Sequence, residues 1–227
     1  MKKIISIMML MIISLSVYAN DIYINQSGAT LDLDVTQDGQ NNTVGSSTTA
    51  SSVIGATTNL AITQIGDSNV MTFDDNGANY TGTFSVTGNS NNIDFNCDSG
   101  GSNSSCGTAT ASIVWVGSSN DIDIDIGETS SATSATVGIT GASGSDSNTI
   151  LGTVDGNSAI LTLSVNGDTN NFLVDIDGNG DSVGHTYIHT HTGSIADVDI
   201  TQSGIYDNMI TLTTSGDNAD IDIIQRD

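Results

Sequence analysis

The chain of 227 residues contains no proline, so no position is barred from a backbone ladder for want of an N–H. Its basic side chains are only three, Lys2, Lys3 and Arg226, against 26 acids. Nothing in it can neutralise a run of phosphates, which excludes nucleic acid as a partner. Glu128 is the sole glutamate, and there is no Gly-x-Ser-x-Gly elbow. The histidines sit in one segment instead of opposite a nucleophile, and aspartate pairs without a pocket do not make a glycosidase. No enzymatic activity and no cofactor are therefore expected. Aromatic residues are 4% of the chain, and an acidic, aromatic-poor composition is also that of disordered chains. Regular apolar alternation argues for order instead.

Long apolar runs are absent except at the start. Ile4 to Leu15 is almost wholly apolar, follows Lys2 and Lys3, and precedes Val17-Tyr18-Ala19. This reads as a secretory signal over residues 1–19, too short and wrongly flanked for a membrane span. The expected mature chain begins near Asn20, is soluble and lies outside the cell or at its surface. Loss of the two lysines takes its formal charge from −23 to about −25.

The clearest pattern runs from Gly156 to Gly178, where 11-residue units are bounded by Gly156, Gly167 and Gly178. Ala159, Leu161, Leu163 and Val165 alternate with polar residues in the first unit, and Asn170, Phe172, Val174 and Ile176 in the second. Period-two alternation between Gly/Asn/Asp turns means short half-buried strands. The spacing recurs at Gly28 and Gly39, at Gly55, Gly66, Gly77 and Gly88, and at Gly193 and Gly204, with Gly216 continuing the rhythm one residue late. An 11-residue unit suits one strand and a tight turn, and a fixed period means a repeat architecture. The fold expected is all-β: a β-solenoid of about eight 22-residue turns with two short strands each. It fills 20–227 as a single domain, with loops near 45–52, 97–107 and 128–147.

Amides recur on the inward parity. Gln26, Gln37, Gln64 and Gln202 stand two before a glycine, and Asn42, Asn69, Asn91, Asn120 and Asn170 three after one. Gln-x-Gly-x-x-Asn is complete at Gln37-Gly39-Asn42 and Gln64-Gly66-Asn69, and nearly so at Gln202-Gly204-Asp207. Buried amides are costly unless paired, and stacked coils let each bond to its copy one turn away. The expected ladder comprises Gln26, Gly28, Gln37, Gly39, Asn42, Gln64, Gly66, Asn69, Gly88, Asn91, Gly167, Asn170, Gln202 and Gly204.

These segments resemble the curlins, the fibre subunits of bacterial curli, whose repeats are built on a Gln-x-Gly-x-x-Asn core. The resemblance covers most of residues 21–96 and 150–225. Elsewhere Val, Ile, Trp, Asp or Thr stands in place of Gln, which makes the interior more aliphatic. The resemblance implies a secreted functional-amyloid subunit for biofilm formation or surface adhesion. It also implies release through a curli-type outer-membrane channel and assembly with itself or a nucleator. The alternative is a non-polymerising secreted solenoid that binds a ligand, as a calcium-dependent adhesin or an ice-binding protein.

Other candidates lie outside the ladder. Outward acids, including Asp121, Asp123, Asp125, Asp197 and Asp199, form a solubilising face or supply carboxylates for calcium. Thr81/Thr83, Thr162/Ser164 and Thr211/Thr213 favour the opposite face. His185, His189 and His191 share a parity with Tyr187, as a packed or surface strip or, with no third ligand evident, a His-x-His metal pair. Trp115 points inward.

Cys97 and Cys106 flank a Ser/Gly-rich loop, and in an exported chain they are expected to form a disulfide closing it. Intact-mass spectrometry should then show a gain of two hydrogens on reduction, with no thiol alkylated beforehand. Two thiols reactive in the native protein would contradict the pairing.

Overall fold

A computed structural model of the chain describes residues 20–39, 41–45, 50–66, 68–75, 79–88, 90–97, 107–117, 120–127, 134–142, 144–145, 147–156, 158–177, 184–204 and 208–226. The expected signal at 1–19, Gly77, Cys106, Gly178 and Asp207 fall outside these. No helix occurs among the described residues. The strands are β1 (Asn20–Ile22), β2 (Asn25–Asp38), β3 (Asn42–Val44), β4 (Ser51–Ile65), β5 (Val70–Asp75), β6 (Asn79–Thr87), β7 (Asn92–Cys97) and β8 (Thr108–Val116). There follow β9 (Asp121–Ile126), β10 (Ser134–Gly141), β11 (Thr149–Asp155), β12 (Ala159–Asn166), β13 (Asn170–Asp177), β14 (Thr186–Thr192), β15 (Ala196–Ser203), β16 (Met209–Ser215) and β17 (Asp220–Arg226).

Each strand pairs in parallel with the strand two along, which is the signature of a coil. Odd-numbered strands form one ladder from β1 to β17, and even-numbered strands a second from β2 to β16. The first residues of β2 and β4 belong to the odd ladder: Asn25–Gly28 pairs with Ser52–Gly55, and Ser51–Val53 with Phe73–Asp75. The expected solenoid is therefore present. The loop expected over 45–52 is shorter than that, because Ser51 and Ser52 already lie in β4.

Alternation decides what is buried. In β12 every second residue from Ala159 to Val165 is buried and the intervening ones are exposed. The same holds in β8, from Ala109 to Trp115. The two ladders thus meet along one continuous core. Phe95 sits at its densest point, with ring centroids 4.7 Å from Tyr80, 5.7 Å from Phe84 and 6.5 Å from Phe73. Large side chains are offset by absent ones: a Cβ on Gly141 would lie 2.4 Å from Trp115, and one on Gly82 1.7 Å from Tyr80.

Two sequence expectations need correction. The segment 128–147 was expected to be a loop, yet Ser134–Gly141 is β10, paired with β8 and β12. Its inward residues Ala135, Val137 and Ile139 are buried against Ala109, Ala111 and Ile113, and Trp115 takes the room left by Gly141. The turn is also not a constant 22 residues. Met71 faces Ile93 and Ile150 faces Phe172 at that spacing, but Phe84 faces Ile113, 29 residues on. Regular 22-residue turns are consequently fewer than the eight expected. Most of the added residues fall between an odd strand and the next even one, as between Cys97 and Thr108.

The other bend is nearly invariant, and it explains the glycines. Gly39, Gly66, Gly117, Gly193 and Gly216 adopt φ between 146° and 154° there. A Cβ on Gly66 would lie 1.7 Å from the carbonyl oxygen of Gly39, one coil below. Gly28 is not at this bend: it lies within β2, paired with Gly55 of β4, where the strand passes from the odd ladder to the even one. The 11-residue series therefore merges two kinds of glycine. Replacing Gly66 by Ala should cost ~2 kcal/mol or more, from backbone strain and displacement of Gly39. Replacing Gly28 by Ala should cost well under ~1 kcal/mol. Equilibrium denaturation of both variants measures the contrast, and equal losses would contradict the distinction.

Candidate functional site

The tight bend carries a column of buried amides. Asn120 Nδ2 donates to the carbonyl of Gly117 at 2.8 Å, closing its own arch, and to Asn148 Oδ1 of the next coil at 3.0 Å. Asn148 Nδ2 in turn donates to Asn170 Oδ1 at 2.8 Å and to the carbonyl of Ser145. Asn170 Nδ2 bonds the Gly167 carbonyl at 2.8 Å. Asn42 and Asn69 reach across coils to the backbone instead, at Ile65 and Thr87. Among the described residues the Asn91 side chain has no partner, although its N–H donates to Asn120 Oδ1 at 3.1 Å. Asn148 was missed from the sequence because Ser145 replaces the arch glycine and extra residues precede it; an asparagine just before an alternating strand was the available signal.

The glutamines form two short pairs, not a continuous ladder. Gln64 Nε2 donates to Gln37 Oε1 at 2.8 Å, and Gln225 Nε2 to Gln202 Oε1 at 3.4 Å. The first pair's column lies in the even ladder and continues through Val86, Trp115, Gly141, Val165 and His191, whereas the second pair lies in the odd ladder beyond Ile176. Gln26 points inward at the first coil, half-buried, and the Gly204 N–H donates to Arg226 at 3.2 Å. Gly88 stacks on Gly66, and Gly167 donates its N–H to Thr192 at 2.9 Å. Buried Asp75 went unnoticed in the sequence; with burial as the first cause, it holds the enclosed Tyr80 hydroxyl well above its ordinary pKa.

His185, His189 and His191 are all buried, and with Tyr187 they line the interior. His189 Nδ1 lies 3.1 Å from the Tyr187 hydroxyl, and its ring packs edge-on against Phe172 at 4.5 Å. His191 Nε2 is 2.9 Å from the Gly167 carbonyl, an acceptor only, which calls for a proton on that nitrogen. Each imidazole serves as core packing. No group of three or more His, Cys, Asp or Glu converges on a metal-sized site among the described residues.

The outward faces differ. On the odd ladder Asp94 pairs with Asp123, Asp197 with Asp220, and Asp199 with Asp222. Asp121 and Asp125 flank the first group, and exposed Leu173 interrupts the face before the second. Burial, then the neighbouring Asp121, raises the pKa of Asp94. The calcium candidates Asp121, Asp123, Asp125, Asp197 and Asp199 thus line the outward face of the odd ladder. The even ladder presents hydroxyls: Thr81, Thr110 and Thr136 stack in one column, and Thr140, Ser164, Thr190 and Thr213 in another. Cys97 is buried at the end of β7.

Among the described residues the ends of the coil are open. Every residue of β17 is exposed, and its inward-parity Ile221 and Ile223 are 39% and 46% accessible. At the other end Ile22, Ile24, Leu31 and Leu33 are only partly covered. Neither β1 nor β17 has a partner on its outer edge among the described residues.

Burial, and secondarily His191, lower the pKa of His189 to about 4 from an ordinary 6.5. Below pH 6.5 the unfolded chain therefore takes up a proton that the folded chain refuses. Stability should hold above neutrality and fall on acidification toward pH 4, by roughly 3 kcal/mol in all. Asp74, Asp94 and Asp175, whose folded pKa values are raised, act in the opposite sense. His189→Leu, matching Leu163 and Leu212 in its column, should flatten the decline between pH 6.5 and 5 in thermal melts. An unchanged slope would contradict this assignment.

No family model, curated protein or solved structure matches this chain.

Proposed function

We propose that this protein is a secreted structural subunit, similar to the curlins, that adds copies end to end into extracellular fibres for adhesion or biofilm. The observation that carries this reading is the pair of open ends. A β-edge with free N–H and C=O groups is a template for another chain, and most folds cover or charge it. Here each edge is backed by an apolar interior column, Ile22 and Ile24 at one end and Ile221 and Ile223 at the other. A second copy is the only surface guaranteed to carry matching coil spacing. The acidic face slows lateral association, since like charges on neighbouring fibres repel. Export follows from the basic, then apolar, opening of the sequence, and release through a curli-type outer-membrane channel follows from the curlin-like repeats.

A second reading rests on the even ladder. Its Thr and Ser columns form a flat hydroxyl lattice with strands ~4.8 Å apart, a surface suited to ordering water or ice in a non-polymerising protein. Val114, Ile160 and Ile188 interrupt it.

Residues 20–227, purified without denaturant and incubated at micromolar concentration, should yield thioflavin-positive fibres in electron micrographs. Monodisperse particles that depress the freezing point below the melting point would overturn the fibre reading and favour the second.

A further inference from the structure

The odd ladder has one strand more than the even ladder among the described residues, beginning with β1 and ending with β17. Direct stacking of two copies would set β1 of the second on β17 of the first. The even ladder would then have a vacant strand position between β16 of one copy and β2 of the next. Two strand spacings, ~9.6 Å, would separate their backbones, leaving both edges unpaired.

The surplus strands are alike. Asp-Ile-x-Ile-x-Gln occurs at Asp21–Gln26 and again at Asp220–Gln225. They also occupy the same columns. Pairing carries Ile22 through Val44, Met71, Ile93, Ile122, Ile150, Phe172 and Val198 to Ile221. The same ladders carry Asn25 through Ser52 to Ile224, and Gln26 through Val53 to Gln225. Asp220, Ile221, Ile223 and Gln225 of β17 thus stand in the columns of Asp21, Ile22, Ile24 and Gln26, which they match in type and in inward or outward aspect.

Building on the fibre reading, we propose that copies join by strand exchange: β17 of one copy takes the place of Asn20–Gly28 in the next. β16 of the first copy then pairs directly with β2 of the second, and each copy contributes equally to both ladders. Ile221 and Ile223 cover the interior that Ile22 and Ile24 covered, and Gln225 replaces Gln26. The exchange also avoids placing Asp220 against Asp21, which direct stacking would require. The first segment is the one displaced because its pairing is broken: β1 gives three partners to β3, and the chain rejoins the ladder only at Asn25. β17 holds seven consecutive partners on β15.

The junction puts Ile224 of one copy beside Ser52 of the next, one strand spacing away, within the Cα separation a disulfide spans. Ile224 is 45% exposed and Ser52 faces outward, so cysteine at either position leaves the core intact. Chains carrying Ile224→Cys mixed with chains carrying Ser52→Cys, assembled and then oxidised, should give covalent dimers on non-reducing gels that neither variant gives alone. Mixing Ile224→Cys with Asn25→Cys should give at least several-fold fewer. Fibres in which the Asn25 pair links and the Ser52 pair does not would overturn the exchange while leaving the fibre reading intact. A mixture that forms no fibres would overturn both.

Discussion

Every part of this structure depends on parallel pairing of each strand with its own successor one coil away. In such a ladder a residue's neighbours above and below occupy the same position of the coil, so the interior is a set of columns. A column of apolar residues needs only compatible volumes. A column of amides must satisfy donors and acceptors along its length, because an unpaired buried amide costs ~1–3 kcal/mol. Asn120, Asn148 and Asn170 meet that demand side chain to side chain, and Asn42 and Asn69 meet it through carbonyls of the arch and of the coil beyond.

The columns also show how an aliphatic interior stays filled. The position of the Gln37–Gln64 pair holds Trp115 in β8 and Gly141 in β10, so one large side chain occupies the room of two. Histidines follow the same logic. His189 stands in a column between Leu163 and Leu212, and His191 follows Val165 in the column that holds Trp115 and Gly141, so both imidazoles are buried as core packing. Outside, the two ladders carry different chemistry, carboxylates on one and hydroxyls on the other. Each outward column, like each inward one, is exposed to its own repetition, and Asp94 shows the consequence in its raised pKa.

A stack of self-matching layers has no intrinsic end. A globular core closes when its apolar surface is covered, but a coil repeats the same requirement at its last turn as at its first. Ile221 and Ile223 are the next members of columns that are buried through Val198 and Ile200, and they are left open by position alone. That geometry, more than any single residue, is what the proposed end-to-end association rests on.

Much of this was legible beforehand. Period-two alternation marked the strands, the missing proline allowed continuous ladders, and Gln37, Gln64, Asn42 and Asn170 were placed inward by parity. The 11-residue rhythm was a weaker guide, since it treated Gly28, inside a strand, like Gly39, at an arch. Inward and outward are local properties, set by two-residue periodicity, so the sequence by itself determined them. Which coil lies on which depends on how many residues separate successive strands, and only the tertiary structure decided that, because added residues change spacing without changing the parity within a strand. Hence Asn148 joining the asparagine column, Gly141 lying under Trp115, and the shared columns of the first and last strands emerged only from the folded register.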